Sequence, residues 1–242
     1  MKWTQKMNVN KIHELVYVYN VIDSPEKIIN EINYGKNNPD DSVHFKDWKK
    51  WNDIGEYIVN LHYRLHNRYN ERSKNEFQII KYITQLFYDT TNHYLEDKGI
   101  EVDPGWNVMG PNFCKYDKDS KFDYWCHLDH APEEIKKEEL SMVYHTDYVY
   151  ADRYESGNKF ILTCTMYLND DYDGGDLKFN IGDDWFSYKP KAGDIVVFPA
   201  GHPDLLADKG VVFHGVGRVS KADKYLIRCF YQKYTQGLPK DD

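Results

Sequence analysis

Hydrophobic positions along the chain follow two different periods, and the switch from one to the other falls near residue 105. Before it, apolar residues recur at helical spacing. From Lys74 to Asp97, for example, Phe77, Ile80 and Ile83 fall on one face. After residue 105, short apolar runs alternate with turns rich in Gly, Asp and Pro, a pattern typical of strands. The sequence therefore predicts a mainly β protein that is preceded by helices.

In the first hundred residues the pattern predicts one strand and three helices. Leu15–Tyr19 is aromatic and β-branched and favours a strand. Ser24 and Pro25 provide an N-cap and a first helical residue, which predicts a helix that stops before Tyr34-Gly35. Two longer helices are predicted over Gly55–Asn70 and Lys74–Asp97.

In the remaining chain, eight short strands separated by polar turns fit a double-stranded β-helix, or jelly roll, buttressed by the helices. The expected organisation is a single domain over 1–242, with an N-terminal strand and helical layer (1–104) and a jelly-roll core (105–242). The predicted strands are Asn112–Tyr116, Leu140–His145, Phe160–Leu168, Asp176–Asn180, Trp185–Tyr188, Asp194–Pro199, Val211–Val216 and Lys224–Gln232.

Charge and composition narrow the classes of partner. The formal net charge is −8, so bulk electrostatics disfavour nucleic acid and anionic membranes. No apolar run approaches the roughly 20 residues of a membrane span, and the N-terminus lacks the apolar core of a signal peptide. The four cysteines lack CxxC spacing and are read as reduced thiols. Because no targeting signal is recognised, a cytoplasmic location is the default expectation.

The candidate chemistry is a His-x-Asp pair followed by a distant histidine. His145 and Asp147 lie two apart, so on a strand both occupy one face, and His214 lies on a later predicted strand. Two imidazoles and one carboxylate form the facial triad of non-haem Fe(II) oxygenases, which leaves the other metal positions open. The alternative is a metal-free jelly-roll binding module with histidines in its core.

A second His-x-Asp pair, His127-Leu128-Asp129, competes for the same role. The pair at 145 is favoured because a predicted strand delivers it and because it lies closer in sequence to the strand ending near Leu168. The residues after Asp129 instead favour a helix start with Asp129 as its cap. His127 and Asp129 are therefore interpreted as part of an insertion near the opening of the site.

Four ordered motifs between about Asn112 and Gln232 resemble the 2-oxoglutarate/Fe(II) dioxygenases. The similarity is greatest to the prolyl 4-hydroxylase-like group, in particular its phage and microbial members. The motifs are His145-x-Asp147, the segment Tyr167–Leu177 with its Gly174-Gly175 pair, Pro190–Asp194, and His214 followed by Lys224-Tyr225.

The resemblance implies Fe(II) held by His145, Asp147 and His214, with 2-oxoglutarate and O₂ as cosubstrates and ascorbate as an optional reductant. Lys224 matches the cation that anchors the distal carboxylate of 2-oxoglutarate, and Tyr167 matches the tyrosine that assists it. Arg228 shares a strand face with Lys224 and is the alternative anchor, since its planar fork suits a carboxylate. Thr163 shares a strand face with Tyr167.

The expected activity is hydroxylation of an unidentified substrate, with release of succinate and CO₂. Peptidyl proline is the leading candidate by analogy, because fold and cofactor do not fix a substrate. The alternative within enzymes is a free amino acid, a small metabolite or a nucleobase. The expected partner is thus a peptide, a protein or a small molecule, and the sequence leaves the oligomeric state open.

Overall fold

The computed structural model describes residues 7–51, 55–58, 71–103, 105–108, 111–118, 124–127, 159–200 and 212–233. Fifteen strands and two helices occur within these ranges. Neither of the described helices combines the length and the apolarity needed to cross a bilayer.

Helices α1 (Glu26–Asn37) and α2 (Glu71–Asp97) agree with two of the three predicted helices. The predicted stop at Gly35 is wrong, because Gly35 lies inside α1 and is buried. A Cβ atom at this position would lie 2.6 Å from Cβ of Phe45 and 2.7 Å from Oγ of Ser42. Gly35 therefore allows a close approach of two segments and does not end the helix.

The strands are β1 (Asn8–His13), β2 (Val16–Asn20), β3 (Trp48–Trp51), β4 (Gly55–Ile58), β5 (Trp106–Val108), β6 (Asn112–Tyr116), β7 (Tyr124–His127), β8 (Lys159–Tyr167), β9 (Asp173–Gly174), β10 (Leu177–Ile181), β11 (Asp184–Tyr188), β12 (Asp194–Pro199), β13 (Val212–Val216), β14 (Val219–Ser220) and β15 (Lys224–Lys233).

Two antiparallel sheets form the body of the protein. The larger sheet has the order β1-β2-β12-β8-β15-β6-β4-β3, and β5 also pairs with β15. The smaller sheet has the order β11-β10-β13-β7. Chain order and sheet order differ because successive strands cross between the sheets, as in a jelly roll. The predicted fold class is confirmed.

Alternation along the central strands divides the core between two faces. On β8, Leu162, Cys164 and Met166 point to the outer face of the larger sheet and pack with α2 residues such as Ile83 and Phe87. The inner face carries Tyr167, which packs with residues of the smaller sheet such as Phe179. Among the described residues, the predicted functional residues of β8 and β15 (Thr163, Tyr167, Lys224 and Arg228) fall on the inner face by strand alternation.

Seven of the eight predicted jelly-roll strands correspond to β6, β8, β10, β11, β12, β13 and β15, with ends that differ by at most two residues. The eighth, Leu140–His145, lies outside the described residues. A strand that the sequence did not predict, β7, occupies an edge of the smaller sheet.

The first hundred residues also contribute more strand than the sequence predicted. Residues 55–58 form β4, where a helix was expected, and the rest of that predicted helix lies outside the described residues. β4 pairs with β3 and with β6, so it extends the larger sheet. At the other end of this sheet, β2 pairs with β12 and β1 pairs with β2. The N-terminal layer is therefore partly built into the larger sheet.

Candidate active site

Thr163, Thr165 and Tyr167 lie on the inner face of β8, because they alternate with residues packed under α2. All three are buried. The register aligns Thr165 with Arg228 and Tyr167 with Leu226 of β15. The shared face predicted for Thr163, Thr165 and Tyr167 is therefore present, and it lies directly beside β15.

Lys224 is the first residue of β15, and its side chain is fully buried. Its Nζ atom donates a hydrogen bond of 2.5 Å to the carbonyl oxygen of Gly175. The same atom lies 4.9 Å from the ring centre of Tyr167, 5.2 Å from that of Tyr172 and 6.0 Å from that of Tyr116. Three aromatic rings and one carbonyl thus surround this amine.

No Asp or Glu within the described ranges forms an ion pair with Lys224. Burial lowers the pKa of its ammonium group to about 7, and the charge of Lys189 lowers it in the same direction, against a smaller opposing effect of Asp176. A buried cation without a counter-ion is unfavourable, and a bound carboxylate would stabilise its charged form. The surroundings of Lys224 therefore suit an anionic ligand.

Arg228 lies four residues further along β15, on the same face as Lys224. Its side chain is half-buried, and its guanidinium carbon lies 5.5 Å from the ring centre of Phe230. At the rise of an extended strand, the two basic residues are about 13 Å apart along the backbone. They therefore mark two separate positions on the inner face.

His214 lies at the centre of β13 and is 6% exposed. Its ring packs edge-on against Phe198, with the ring centres 4.6 Å apart, and lies 6.4 Å from the ring of Phe179. Nδ1 is 3.4 Å from the carbonyl oxygen of Val212. A proton on Nδ1 facing that carbonyl would leave Nε2 with the lone pair that a metal requires.

Both edges of β13 are occupied by neighbouring strands. β10 pairs along one edge, where Phe179 is opposite His214. β7 pairs along the other edge, where His127 is opposite His214. Directly opposed residues of an antiparallel pair occupy the same face of a sheet, with Cα atoms about 4.5–5.5 Å apart. The register therefore brings the His127 and His214 positions together.

β7, the strand that carries His127, was not predicted from the sequence. His127 is the last residue of this edge strand, and the interpretation of His127 and Asp129 as part of an insertion near the opening of the site stays a prediction. Asp129, His145 and Asp147 lie outside the described residues. Local sequence signals favoured the pair His145 and Asp147. The pair at 127 drew less support, because β7 is only four residues long and shows no clear alternation of apolar and polar residues.

Tyr172 is a site residue that sequence reasoning did not single out. It follows β8 in an irregular segment, is 2% exposed, and its ring faces Lys224. An aromatic residue in an acidic turn is ordinarily exposed, so no local signal marked it. Its burial depends on Gly174 and Gly175, which adopt left-handed backbone conformations with φ values of +69° and +65°.

A separate surface cleft lies on the helix side of the larger sheet. It has a volume of about 610 Å³ and is formed by α1, the turn after β8 and the turn before β15. Its charged lining residues are all acidic: Asp23, Glu26, Asp170, Asp171 and Asp223. It contains neither His214 nor Lys224 and is distinct from the site on the inner face.

Comparison with known proteins agrees with this geometry. Residues 111–232 match the family model described as the 2OG-Fe(II) oxygenase superfamily. The matched segment covers half of the chain, so the protein belongs to this superfamily. It is therefore an Fe(II)- and 2-oxoglutarate-dependent dioxygenase, and O₂ is its other cosubstrate. No curated protein matches the chain in sequence.

Solved structures show the same fold at low sequence identity. A prolyl hydroxylase from Trichoplax adhaerens, in complex with a hypoxia inducible factor peptide fragment, aligns with a TM-score of 0.57 at 11% identity, over 92% of this chain and 86% of that chain. A Pseudomonas putida prolyl-4-hydroxylase aligns with a TM-score of 0.51 at 13% identity, over 90% and 92%. A Phytophthora capsici prolyl 4-hydroxylase gives 0.53 at 14% identity, over 94% and 61%.

Proposed function

We propose that this dioxygenase hydroxylates proline in a peptide or protein and converts 2-oxoglutarate to succinate and CO₂. The observation that carries the proposal is the buried ammonium group of Lys224, which lacks an acidic partner among the described residues and lies on the inner face of a jelly roll. This arrangement fits a dicarboxylate cosubstrate with one carboxylate at the metal and the other at Lys224. Bound Fe(II) would activate O₂, which is the oxidant, and 2-oxoglutarate would supply two electrons as it loses CO₂. One oxygen atom then enters succinate and the other enters the C–H bond of the substrate.

For the metal, the proposed ligands are His127, Asp129 and His214. Support comes from the register, in which His127 is opposite His214, and from the two-residue spacing that places Asp129 after it. The pair at 145 and 147 remains the competing assignment. It is the weaker one, because β10 and β7 already occupy both edges of β13, so no further segment can pair with that strand beside His214.

For the cosubstrate, the proposed anchor is Lys224, assisted by Tyr167. Lys224 is more deeply buried than Arg228 and lies among the rings of three tyrosines, whereas the Arg228 guanidinium group lies over the ring of Phe230. Burial raises the pKa of Tyr167 well above its usual value, so its hydroxyl stays protonated and can donate a hydrogen bond. Thr163 lies further along the same face of β8, opposite Phe230 of β15.

Peptidyl proline is proposed because the similar Trichoplax adhaerens enzyme is a prolyl hydroxylase that was solved with a peptide fragment. The test is an assay of iron-dependent succinate release from 2-oxoglutarate, with and without proline-containing peptides. We expect the peptides to stimulate succinate release and to gain one oxygen atom by mass spectrometry. Stimulation by a free amino acid, a metabolite or a nucleobase, without any effect of peptides, would instead support the alternative substrate class.

A further inference from the structure

The hydroxyl group of Tyr172 is buried and has no hydrogen-bonding partner in the described part of the chain. The residue is 2% exposed. A buried hydroxyl without a partner is unfavourable, and a phenylalanine would fill the same space without that cost. Such an isolated polar atom in a native site calls for a partner that binds there.

The position of the ring points to the identity of that partner. The ring lies against Gly175, where an added Cβ atom would be only 2.9 Å from Cε2 of Tyr172. The carbonyl oxygen of Gly175 accepts the hydrogen bond from Lys224, and the Lys224 amine is 5.2 Å from the ring centre of Tyr172. The phenol and the amine therefore lie beside the same short backbone segment.

Lys189 also contacts the ring and the backbone of Tyr172. Its Nζ atom lies 4.0 Å from the ring centre and donates a 3.1 Å hydrogen bond to the carbonyl oxygen of Tyr172. A cation over the ring face and a hydrogen bond to the backbone both favour the observed orientation. The hydroxyl is therefore held in this orientation before any ligand binds.

The ionisation of the phenol is compatible with hydrogen-bond donation to an anion. Burial raises the pKa of Tyr172, and the carboxylate of Asp170 raises it further. Its hydroxyl is therefore neutral and keeps its proton at working pH. After burial, the phenol of Tyr172 is the largest influence that raises the pKa of Tyr167, because the two groups lie close together. The two phenols and Lys224 thus surround one small region.

We propose that the Tyr172 hydroxyl donates a hydrogen bond to the distal carboxylate of 2-oxoglutarate, beside Lys224 and Tyr167. The inference rests on the proposed function, because it needs that carboxylate at Lys224. The two oxygens of a carboxylate offer about four acceptor positions, so one ammonium group and two phenols can bind together. Tyr172 would then contribute to selectivity for a dicarboxylate over a shorter 2-oxo acid.

The test compares two ligands on the full-length, Mn(II)-loaded protein without oxygen. In Tyr172→Phe we expect the dissociation constant of 2-oxoglutarate to rise about tenfold or more, the usual effect of losing a hydrogen bond to a charged group. Binding of 2-oxobutyrate, which lacks the distal carboxylate, should not change. The melting temperature of the ligand-free variant should be unchanged or higher, because a buried polar atom without a partner has been removed.

Tyr188→Phe is the matched control. The hydroxyl of Tyr188 already donates a 2.6 Å hydrogen bond to Asp194, so its loss removes a contact that exists without ligand. We expect a lower melting temperature of the ligand-free protein and an unchanged affinity for 2-oxoglutarate. This is the opposite pattern to that expected for Tyr172→Phe.

The possible failures can be told apart. If the wild-type protein does not bind 2-oxoglutarate, the proposed function fails. A second outcome is that the wild-type protein binds 2-oxoglutarate, that Lys224→Ala weakens this binding, and that Tyr172→Phe binds normally. In that case the inference is wrong, and water satisfies the Tyr172 hydroxyl. Equal weakening of 2-oxoglutarate and 2-oxobutyrate in Tyr172→Phe would also overturn it, because the effect would not concern the distal carboxylate.

Discussion

At the scale of single residues, Lys224 has the most unusual environment among the described basic residues. Burial brings its pKa to about 7, far below the ordinary value for lysine. A bound carboxylate requires the protonated form, so ligand binding and proton uptake are linked. Because of this linkage, the proposed role of Lys224 as the anchor of 2-oxoglutarate can be tested by measuring ligand binding alone, without enzyme turnover.

We predict that 2-oxoglutarate binds more weakly as the pH rises above about 7, by up to about tenfold per pH unit, because Lys224 must first take up a proton. Isothermal titration calorimetry in buffers of different ionisation enthalpy should show proton uptake at pH 8. In Lys224→Arg, whose side chain stays charged, this dependence should disappear. Equal affinity of the wild-type protein at pH 7 and pH 9 would contradict the assignment.

The same pKa predicts how the ligand-free protein responds to pH. The folded-state pKa of Lys224 lies below the unfolded-state value, so between about pH 7 and pH 10 the unfolded chain binds more protons than the folded chain does. The contribution of Lys224 to stability therefore increases with pH across that window. Chemical denaturation of wild-type protein and Lys224→Met measures this contribution. The free energy of unfolding of the wild type, relative to that of Lys224→Met, should increase from about pH 7 to pH 10.

Gly35 gives a residue-scale prediction about packing. We expect Gly35→Ala to lower the free energy of unfolding by about 1–2 kcal/mol, because overpacking against Phe45 and Ser42 outweighs the gain in helix propensity. Asn30→Ala, an exposed position on the same helix, is the control and should be neutral or slightly stabilising. Urea denaturation of both variants measures the difference. A Gly35→Ala variant more stable than wild type would show that the neighbouring segment adjusts freely.

At the scale of elements, the pairing of β7 with β13 determines which His-x-Asp pair is proposed for the metal. A strand has only two edges, and those of β13 are taken by β10 and β7. The predicted strand Leu140–His145 had the stronger local signal, with a longer apolar run. The proposal gives more weight to strand pairing than to such local signals, because sheet stability depends on neighbours that are distant in sequence. The metal-ligand role of either pair stays a prediction.

We predict that His127→Ala abolishes specific Co(II) or Fe(II) binding, whereas His145→Ala retains it. The physical reason is that a facial triad loses one of its three protein ligands in the first variant. Visible absorption of the Co(II)-loaded proteins provides the measurement, and circular dichroism checks that both remain folded. Loss of the metal in His145→Ala, with binding kept in His127→Ala, would establish the competing pair.

At the scale of the whole molecule, the N-terminal strands extend both ends of the larger sheet around the jelly-roll strands. β2 pairs with β12, which places Tyr17 and Tyr19 beside α2 residues such as Tyr94. Burial of such aromatic residues provides much of the packing on the outer face, and the inner face remains available for the site. The division into residues 1–104 and 105–242 stays a prediction, although sheet pairing crosses that boundary.

We predict that Mn(II) and 2-oxoglutarate together raise the melting temperature of the whole chain, because both bind only the folded state. Succinate, which has no 2-oxo group to chelate the metal, should give a smaller shift at the same concentration. In Lys224→Ala, the extra shift caused by 2-oxoglutarate should largely vanish, while the shift caused by Mn(II) alone remains. Differential scanning calorimetry measures all three shifts.

The sequence by itself determined the class of protein, most of the jelly-roll strands and the predicted roles of His214, Lys224 and Tyr167. These strands have short apolar runs with turns at their ends, and each motif between 112 and 232 is a short local segment of the sequence. Local patterns of this kind can be read without knowing the fold.

Only the tertiary structure revealed three further features: the position of β7 opposite His214, the strand at residues 55–58 and the burial of Tyr172. Each involves a neighbour that is distant along the chain: β7 pairs with β13, β4 pairs with β6, and the Tyr172 ring lies 5.2 Å from the Lys224 amine. A short strand or a buried aromatic residue in a turn has no periodic signal of its own, so its environment is decided by long-range packing.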